Sequence, residues 1–466
     1  MKVLLTHGYF IAEDEKEQQI MRPYPPLGLL YISGFLKQQG VENSVFDSTF
    51  SDKESLFNRI EEEKPEVLAI YANLMTKVNV LEIAKVSKKL SPATKVVLGG
   101  PDVTFNIQNY LKYGVDFIVI GEGENTMFEL VEFLSKNRDT LPHEVSGLAF
   151  IGNEGKLVKT SPRVKEREID ELPVPNRDAI DMHKYVDAWK KHHGESALSV
   201  STQRGCPYTC KWCSTAVYGQ SYRRRSPEKV VAELKDIQEK YAPDTIWFVD
   251  DVFTVSHKWL AEFVDALEEA KLKVKFECIS RADRMNKEVI SLLKRAGCFR
   301  VWIGAESGSQ KIIDAMDRRV SVEQVREMII ETRNQGIEAG TFIMLGYPGE
   351  TEEDIEETIN HLKISNPDYF TITVAYPIKG TSLYNEIESK KITEPEWHLS
   401  TDRDIDFKRT YPRKYYDYAV RYVISEVNSH KTPQKERLRK NFIKLKLKSF
   451  HSKAMMQLTK KSFKTA

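Results

Sequence analysis

The 466-residue sequence has only five cysteines, an odd number, and three of them fall within eight residues. A disulfide framework would spread them along the chain. No stretch approaches the roughly eighteen uninterrupted apolar residues that a membrane-spanning helix needs. The opening MKVLLTHGYF lacks the long apolar core and small-residue cleavage site of a secretory leader. Net charge is equally scarce, since 69 Lys and Arg against 68 Asp and Glu leave a formal +1. Together these absences predict a cytoplasmic protein, in whose reducing surroundings clustered cysteines bind metal.

What is present is the composition of a globular chain, 41% hydrophobic and 29% charged. At about 100 to 200 residues per domain, its length predicts two or three domains. The charge is unevenly placed. Residues 431–466 hold twelve Lys or Arg against the single acid Glu436, a net +11, so the rest of the chain sums to about −10. Such a tail suits peripheral contact with an anionic membrane, where each Lys or Arg near the headgroups is worth about 1 kcal/mol; the alternative is a solvated terminal helix. With neither interleaved aromatics nor a recognisable module, no nucleic acid is expected.

Over the first 150 residues, short apolar runs alternate with helical patterns. KVLLT, NSVFD, EVLAIYA, KVVLGG and DFIVIGEGE read as strands. The helices fall at about Leu27 to Gln39, Glu54 to Glu63, Val78 to Leu90 and Glu124 to Ser135, with a short one after KVVLGG. That order predicts a parallel, doubly wound, Rossmann-like sheet. Its ligand would sit beyond the carboxyl ends of the strands, where the loops carry Gly99, Gly100, Gly121 and Gly123.

A charged linker is expected from about Gly152 to Asn176, closing with LPVPNRD. The alternation resumes at ALSVST and runs through six strand-helix repeats to YFTITVAYP, with helices near Pro227 to Tyr241, Lys258 to Ala270 and Lys287 to Ala296. This predicts a second α/β domain, a partial barrel with its active site on the loops after the strands. The expected divisions are 1–140 for the front domain, 141–190 for the linker, 191–395 for the barrel and 396–466 for a C-terminal extension. Periodicity alone does not decide the tail: KLKLKSF alternates at strand period, whereas Leu438, Phe442 and Leu445 fit a helix. A helical basic extension is the expectation.

The segment STQRGCPYTCKWCST places Cys206, Cys210 and Cys213 in a C-x3-C-x2-C run directly after the apolar strand ALSVS. A cubane cluster normally takes four cysteines, so three thiolates on one loop leave the fourth iron open. An open iron can chelate the amino and carboxylate groups of S-adenosylmethionine, and an electron from the cluster can split its carbon-sulfur bond. Structural zinc is the alternative, but it closes with four ligands, typically from two paired knuckles. The nearest histidines, His193 and His257, stand at no knuckle spacing. Cys278 and Cys298 read as small core residues.

This run, with Trp212 before its third cysteine, resembles the radical S-adenosylmethionine superfamily. The resemblance implies a partial (β/α)6 barrel, a [4Fe-4S] cluster on the loop after its first strand, and S-adenosylmethionine across the strand ends with Trp212 near the adenine. It also implies an electron donor such as flavodoxin or ferredoxin. In FVDDVF, where the family holds the methionine amino group, the carboxylates are Asp250 and Asp251; a helix N-terminal acid or a salt-bridged loop is the plainer reading. Glu306 and Ser307 in IGAESGS look like the family's contacts to the ribose or amino group, although a strand-end carboxylate also caps helices. Arg281 in ISRAD offers a two-bond fork to a substrate carboxylate, or else a surface ion pair. GTFIMLGYPGET and AYPIKGTSLY resemble the fifth and sixth strand segments.

The pieces RPYPPLGLLYISGFLKQQG, LGGPDVTF and VIGEGE resemble the cobalamin (B12)-binding domain that precedes many members. That resemblance assigns Pro26, Leu27, Gly28, Gly99, Gly100, Gly121, Glu122 and Gly123 to the cofactor, the glycines allowing close backbone approach to a large flat ligand. There are two departures. No Asp-x-His-x-x-Gly motif supplies an axial histidine, and Asp102 stands where related sequences commonly show His. The implied reaction is hydrogen abstraction by a 5'-deoxyadenosyl radical followed by methyl transfer from methylcobalamin to an unactivated carbon of a small molecule, lipid-like or tetrapyrrole. The runner-up is ring closure, as in the anaerobic magnesium-protoporphyrin monomethyl ester cyclases. From another class, a non-catalytic metal-binding protein would keep the fold without the chemistry.

Overall fold

In the computed structural model, residues 1–137, 140–393, 395–433 and 440–460 are described. Leu438 and the charges at 435–439 and 461–464 lie outside them. The chain forms two compact units: Met1–Pro207 with Ser214–Trp247 and Glu396–Thr401, and Tyr208–Cys213 with Phe248–Pro395 and Asp402–Ala466.

In the first unit, strands Val3–His7 (β1), Asn43–Phe46 (β2), Val67–Tyr71 (β3), Lys95–Gly99 (β4), Phe117–Val119 (β5), Leu148–Ile151 (β6) and Leu157–Lys159 (β7) make one sheet in the order β2-β1-β3-β4-β5-β6-β7. The pairs from β1 to β5 are parallel. Both faces are buried, which is why these strands read as unbroken apolar runs. Leu4, Leu68, Ile70, Val96 and Leu98 enter one core. Their neighbours Val3, Leu5, Val67, Ala69 and Val97 enter the other, as the period of two requires.

Helices Leu27–Gln38, Lys53–Glu63, Lys77–Leu90, Val103–Leu111 and Glu124–Lys136 join the strands, each within two residues of its expected range where one was given. The second starts on a side-chain cap, Ser55 N donating to Asp52 Oδ1 at 2.8 Å.

The stretch from Gly152 to Asn176 is not wholly a linker. It supplies β7, which pairs antiparallel with β6, itself antiparallel to β5. The strand is three residues long amid charges, too short to show a period. Further along come Ala197–Val200 (β8), then Gln203–Arg204 (β9) and Arg223–Arg224 (β10), an antiparallel two-residue clamp.

Beyond Thr245–Phe248 (β11), the second unit contains Phe276–Ser280 (β12), Cys298–Glu306 (β13), Glu338–Leu345 (β14) and Tyr369–Val374 (β15). These four pair in parallel in the order β15-β14-β13-β12. In chain order β8, β11, β12, β13, β14 and β15 are each followed by a helix, among them Pro227–Tyr241, His257–Glu269 and Lys287–Ala296. The last starts on an Asn286 cap and stops at Gly297. Cys278 and Cys298 are buried, as core cysteines should be. The tail contains two helices, Arg413–Lys431 and Lys440–Thr459, so over its described residues the helical alternative holds and the strand alternative fails. No helix among the described residues is long and apolar enough to cross a membrane.

Candidate functional site

In the first unit, Gly28, Gly99, Gly100, Gly121, Glu122 and Gly123 all line one cavity of about 250 Å³ at the carboxyl ends of β1, β3, β4 and β5. Its walls are mainly apolar, with Leu29, Ile32, Val97, Val119 and Met127 among them. Pro26 and Leu27 are not in the lining; Pro26 precedes the helix that Leu27 opens. No histidine lines the cavity. Asp102 is turned elsewhere, accepting a hydrogen bond from Tyr110 OH at 2.5 Å.

The lining also takes Val217 and Tyr218 from the segment after the cysteine run. Distance in sequence hid them. Apolar walls, glycine lips and strand-end placement fit a large flat cofactor.

Arg204, two residues before Cys206, is fastened to this cavity. Its Nη1 lies 3.0 Å from Glu122 Oε2, its Nη2 binds Glu124, and its guanidinium sits between the rings of Tyr31 and Tyr218 at 5.4 and 5.5 Å. Arg223, its register partner in the clamp, pairs with the other Glu122 oxygen at 2.6 Å. Between them Gly205 has φ +82°, and a Cβ there would stand 2.5 Å from Ser221 O. Only glycine admits that approach. Cys206 then bridges to Gln220.

In the second unit, Cys210 lies beside two guanidinium groups. Arg281 Nη1 donates to its Sγ at 3.4 Å, and Arg318 Nη1 is 4.0 Å away. The rest of Arg281 is committed: Nε to Asp283 at 2.8 Å, Nη2 to the Arg318 carbonyl at 2.7 Å, and its plane over Tyr208 at 3.9 Å. Arg281 therefore faces a cysteine, where a free fork for a substrate carboxylate had been one expectation.

Arg318 is the hub that sequence reasoning missed. It also lies 3.7 Å from Glu306 Oε1 and 5.7 Å from the centre of the Trp212 ring, and its Nη2 donates to Gly304 O at 2.6 Å. A Cβ on Gly304 would stand 2.4 Å from that Nη2. Here the glycine makes room for an arginine.

Glu306 ends β13 at a register shift between Gly304 and Glu306, with φ +66°. A non-glycine residue in that region is strained by about 1 to 2 kcal/mol, and such strain gathers at functional sites. Burial raises its pKa against the opposing pull of Arg318 and Arg281. Ser307 is buried and turned to Thr358, 3.3 Å between hydroxyls.

Asp250 and Asp251 follow β11. Asp250 is buried. Asp251 is exposed, yet the chain packed around its carboxyl and then the Asp250 charge raise its pKa. Trp212 packs against the cluster that includes Ile312, Met316, Tyr347 and Leu383.

None of the five cysteines is in a disulfide; Cys206 and Cys210 are half-buried and Cys213 is exposed. Among the described residues no three His, Cys, Asp or Glu side chains converge to hold a metal ion. A cubane takes its three thiolates on three different irons, so the donor set suits it without convergence on one point.

Residues 200–362 match the family model described as the radical SAM superfamily, and residues 20–131 the B12-binding domain. The chain is 31% identical to an uncharacterized methyltransferase of Pyrococcus horikoshii over 82% of each chain. It is 26% identical to the anaerobic magnesium-protoporphyrin IX monomethyl ester cyclase of Rubrivivax gelatinosus, over 84% of this chain and 70% of that one. Its fold is like that of the radical S-adenosylmethionine methyltransferase TsrM of Kitasatospora setae, with TM-score 0.73 and 17% identity over 93% of this chain and 89% of that chain. The chain belongs to the radical SAM superfamily, in the family of the Pyrococcus methyltransferase, and itself carries a B12-binding domain in front of its radical SAM domain.

Proposed function

We propose that the protein is a cobalamin-dependent radical S-adenosylmethionine methyltransferase acting on an unactivated carbon of a small molecule. When bound, the [4Fe-4S] cluster supplies the electron that splits S-adenosylmethionine to a 5'-deoxyadenosyl radical, and cobalamin carries the methyl group. The observation that carries the reading is the three-cysteine loop, clamped at Arg204 and Arg223 and flanked at Cys210 by Arg281.

On this reading Cys206, Cys210 and Cys213 ligate the cluster and leave one iron for the amino and carboxylate groups of S-adenosylmethionine. Trp212 flanks the adenine, while Glu306, Ser307, Asp250 and Asp251 hold the ribose and amino group. Arg281 and Arg318 offset the cluster's negative charge. Gly28, Gly99, Gly100, Gly121, Glu122 and Gly123 cradle the corrin, with Pro26 and Leu27 setting the helix that presents Gly28. The proposed domains are 1–140 for cobalamin, 141–190 as connection, 191–395 for the barrel and 396–466 for the extension.

An electron donor such as flavodoxin or ferredoxin reduces the cluster. The substrate is lipid-like or a tetrapyrrole, and the enzyme works in the cytoplasm at the membrane periphery. The likeness to the Rubrivivax cyclase favours ring closure as the second reading. Incubation with labelled S-adenosylmethionine separates the two: the product gains one methyl group if the enzyme methylates and none if it cyclises.

A further inference from the structure

Helix Lys440–Thr459 leaves an apolar stripe exposed while packing on the protein through a seam that includes small polar residues. Its buried positions are Ser449, Ser452, Met456 and Thr459. Phe442, Leu445 and Met455 are half-buried and Met456 is buried, while four of its large apolar residues face out, Ile443 50% exposed, Leu447 65%, Phe450 76% and Leu458 74%. At 3.6 residues per turn these four fall on one stripe, opposite the buried seam.

The lysines divide the same way. Lys446, Lys453 and Lys460 recur every seven residues and turn back onto the protein, pairing with Glu426, Glu356 and Glu352 at 3.1, 2.7 and 2.7 Å. Lys440, Lys444 and Lys448 lie on the other flank of the apolar stripe and form no ion pair among the described residues. With Ile443, Leu447 and Ile424 they line a shallow groove that contains no acid among the described residues.

We propose that this face docks on an anionic lipid surface, with Ile443, Leu447, Phe450 and Leu458 entering the headgroup-acyl boundary and Lys440, Lys444 and Lys448 meeting lipid phosphates. The proposal rests on the peripheral-membrane reading above and supplies the surface for it. Apolar side chains beside unpaired lysines are the pattern of an interfacial helix. A second copy of the chain is disfavoured as the occupant, because it would bring its own unpaired lysines against these.

The test is sedimentation of the full chain with vesicles of phosphatidylcholine containing phosphatidylglycerol, compared with phosphatidylcholine alone. Binding is expected to the anionic vesicles only and to weaken with salt. Leu447→Glu with Phe450→Glu should reduce it at least tenfold, whereas Lys453→Gln should leave it unchanged. Equal binding by the double variant, equal binding to neutral vesicles, or no binding would overturn the proposal. So would a wild-type dimer that the double variant converts to monomer, which would give the face to a second copy. Release of 5'-deoxyadenosine without vesicles is measured on the same samples, so failure of the surface is distinguishable from failure of the enzymatic reading.

Discussion

Arg204 Nη1 lies 3.0 Å from Glu122 Oε2, which ties the residue two before the first cysteine of the cluster loop to the lip of the cavity lined by Gly121 and Gly123. Both side chains are under 10% exposed. Removing Arg204 leaves Glu122 with Arg223 but takes the ion pair from buried Glu124, and an uncompensated buried charge costs about 3 to 5 kcal/mol. Arg204→Gln should therefore lower stability by roughly 3 kcal/mol and loosen cobalamin. Urea denaturation and equilibrium dialysis measure the two effects.

The Arg281 contact at 3.4 Å from Cys210 Sγ should set the potential of the cluster. A positive group beside a ligand favours the reduced, more negative form. Arg281→Gln should lower the reduction potential by on the order of 60 mV, which for one electron is about 1.4 kcal/mol. Electron paramagnetic resonance during a redox titration checks it, and an unchanged midpoint would remove Arg281 from this role.

Gly304 and Arg318 make a steric prediction. Gly304→Ala would drive a Cβ to 2.4 Å from Arg318 Nη2, displacing the group that faces Cys210, Glu306 and Trp212. Cleavage of S-adenosylmethionine should fall at least tenfold while circular dichroism stays that of the wild type. Retained cleavage would show that Arg318 is dispensable.

Glu350 gives the pH dependence of stability. Burial pushes its carboxyl up from 4.5 to about 8, against one backbone hydrogen bond from Gly346 N at 2.6 Å. A carboxyl whose folded pKa is raised holds its proton better in the native state. Its contribution is thus full below about pH 4.5 and is lost as pH rises to about 8. The wild type should lose roughly 4 kcal/mol over that window, and Glu350→Gln should flatten the loss. Melting temperatures at several pH values decide the matter.

Much of this was legible in the sequence. A parallel sheet buried on both faces must be written in apolar runs, so Val67–Tyr71 and Lys95–Gly99 announced themselves. The glycines at their ends fell into one cavity. Three things were hidden, each for a physical reason. Arg318 belongs to no motif, and it is aimed by a turn flanked by left-handed Asp317 and Arg319. Tyr218 reaches the cavity only through tertiary folding. In the tail, the period through Phe442 and Leu445 marked half-buried positions, and the exposed stripe of Ile443, Leu447, Phe450 and Leu458 went unread because it lies opposite a seam of Ser449, Ser452, Met456 and Thr459.

The measurement that tests the account most directly is 5'-deoxyadenosine release by anaerobically reconstituted protein under a strong reductant. The account predicts a brown protein that releases 5'-deoxyadenosine from S-adenosylmethionine, and loss of both properties when Cys206, Cys210 or Cys213 is changed to Ala. A colourless protein holding one zinc ion and releasing none would contradict it.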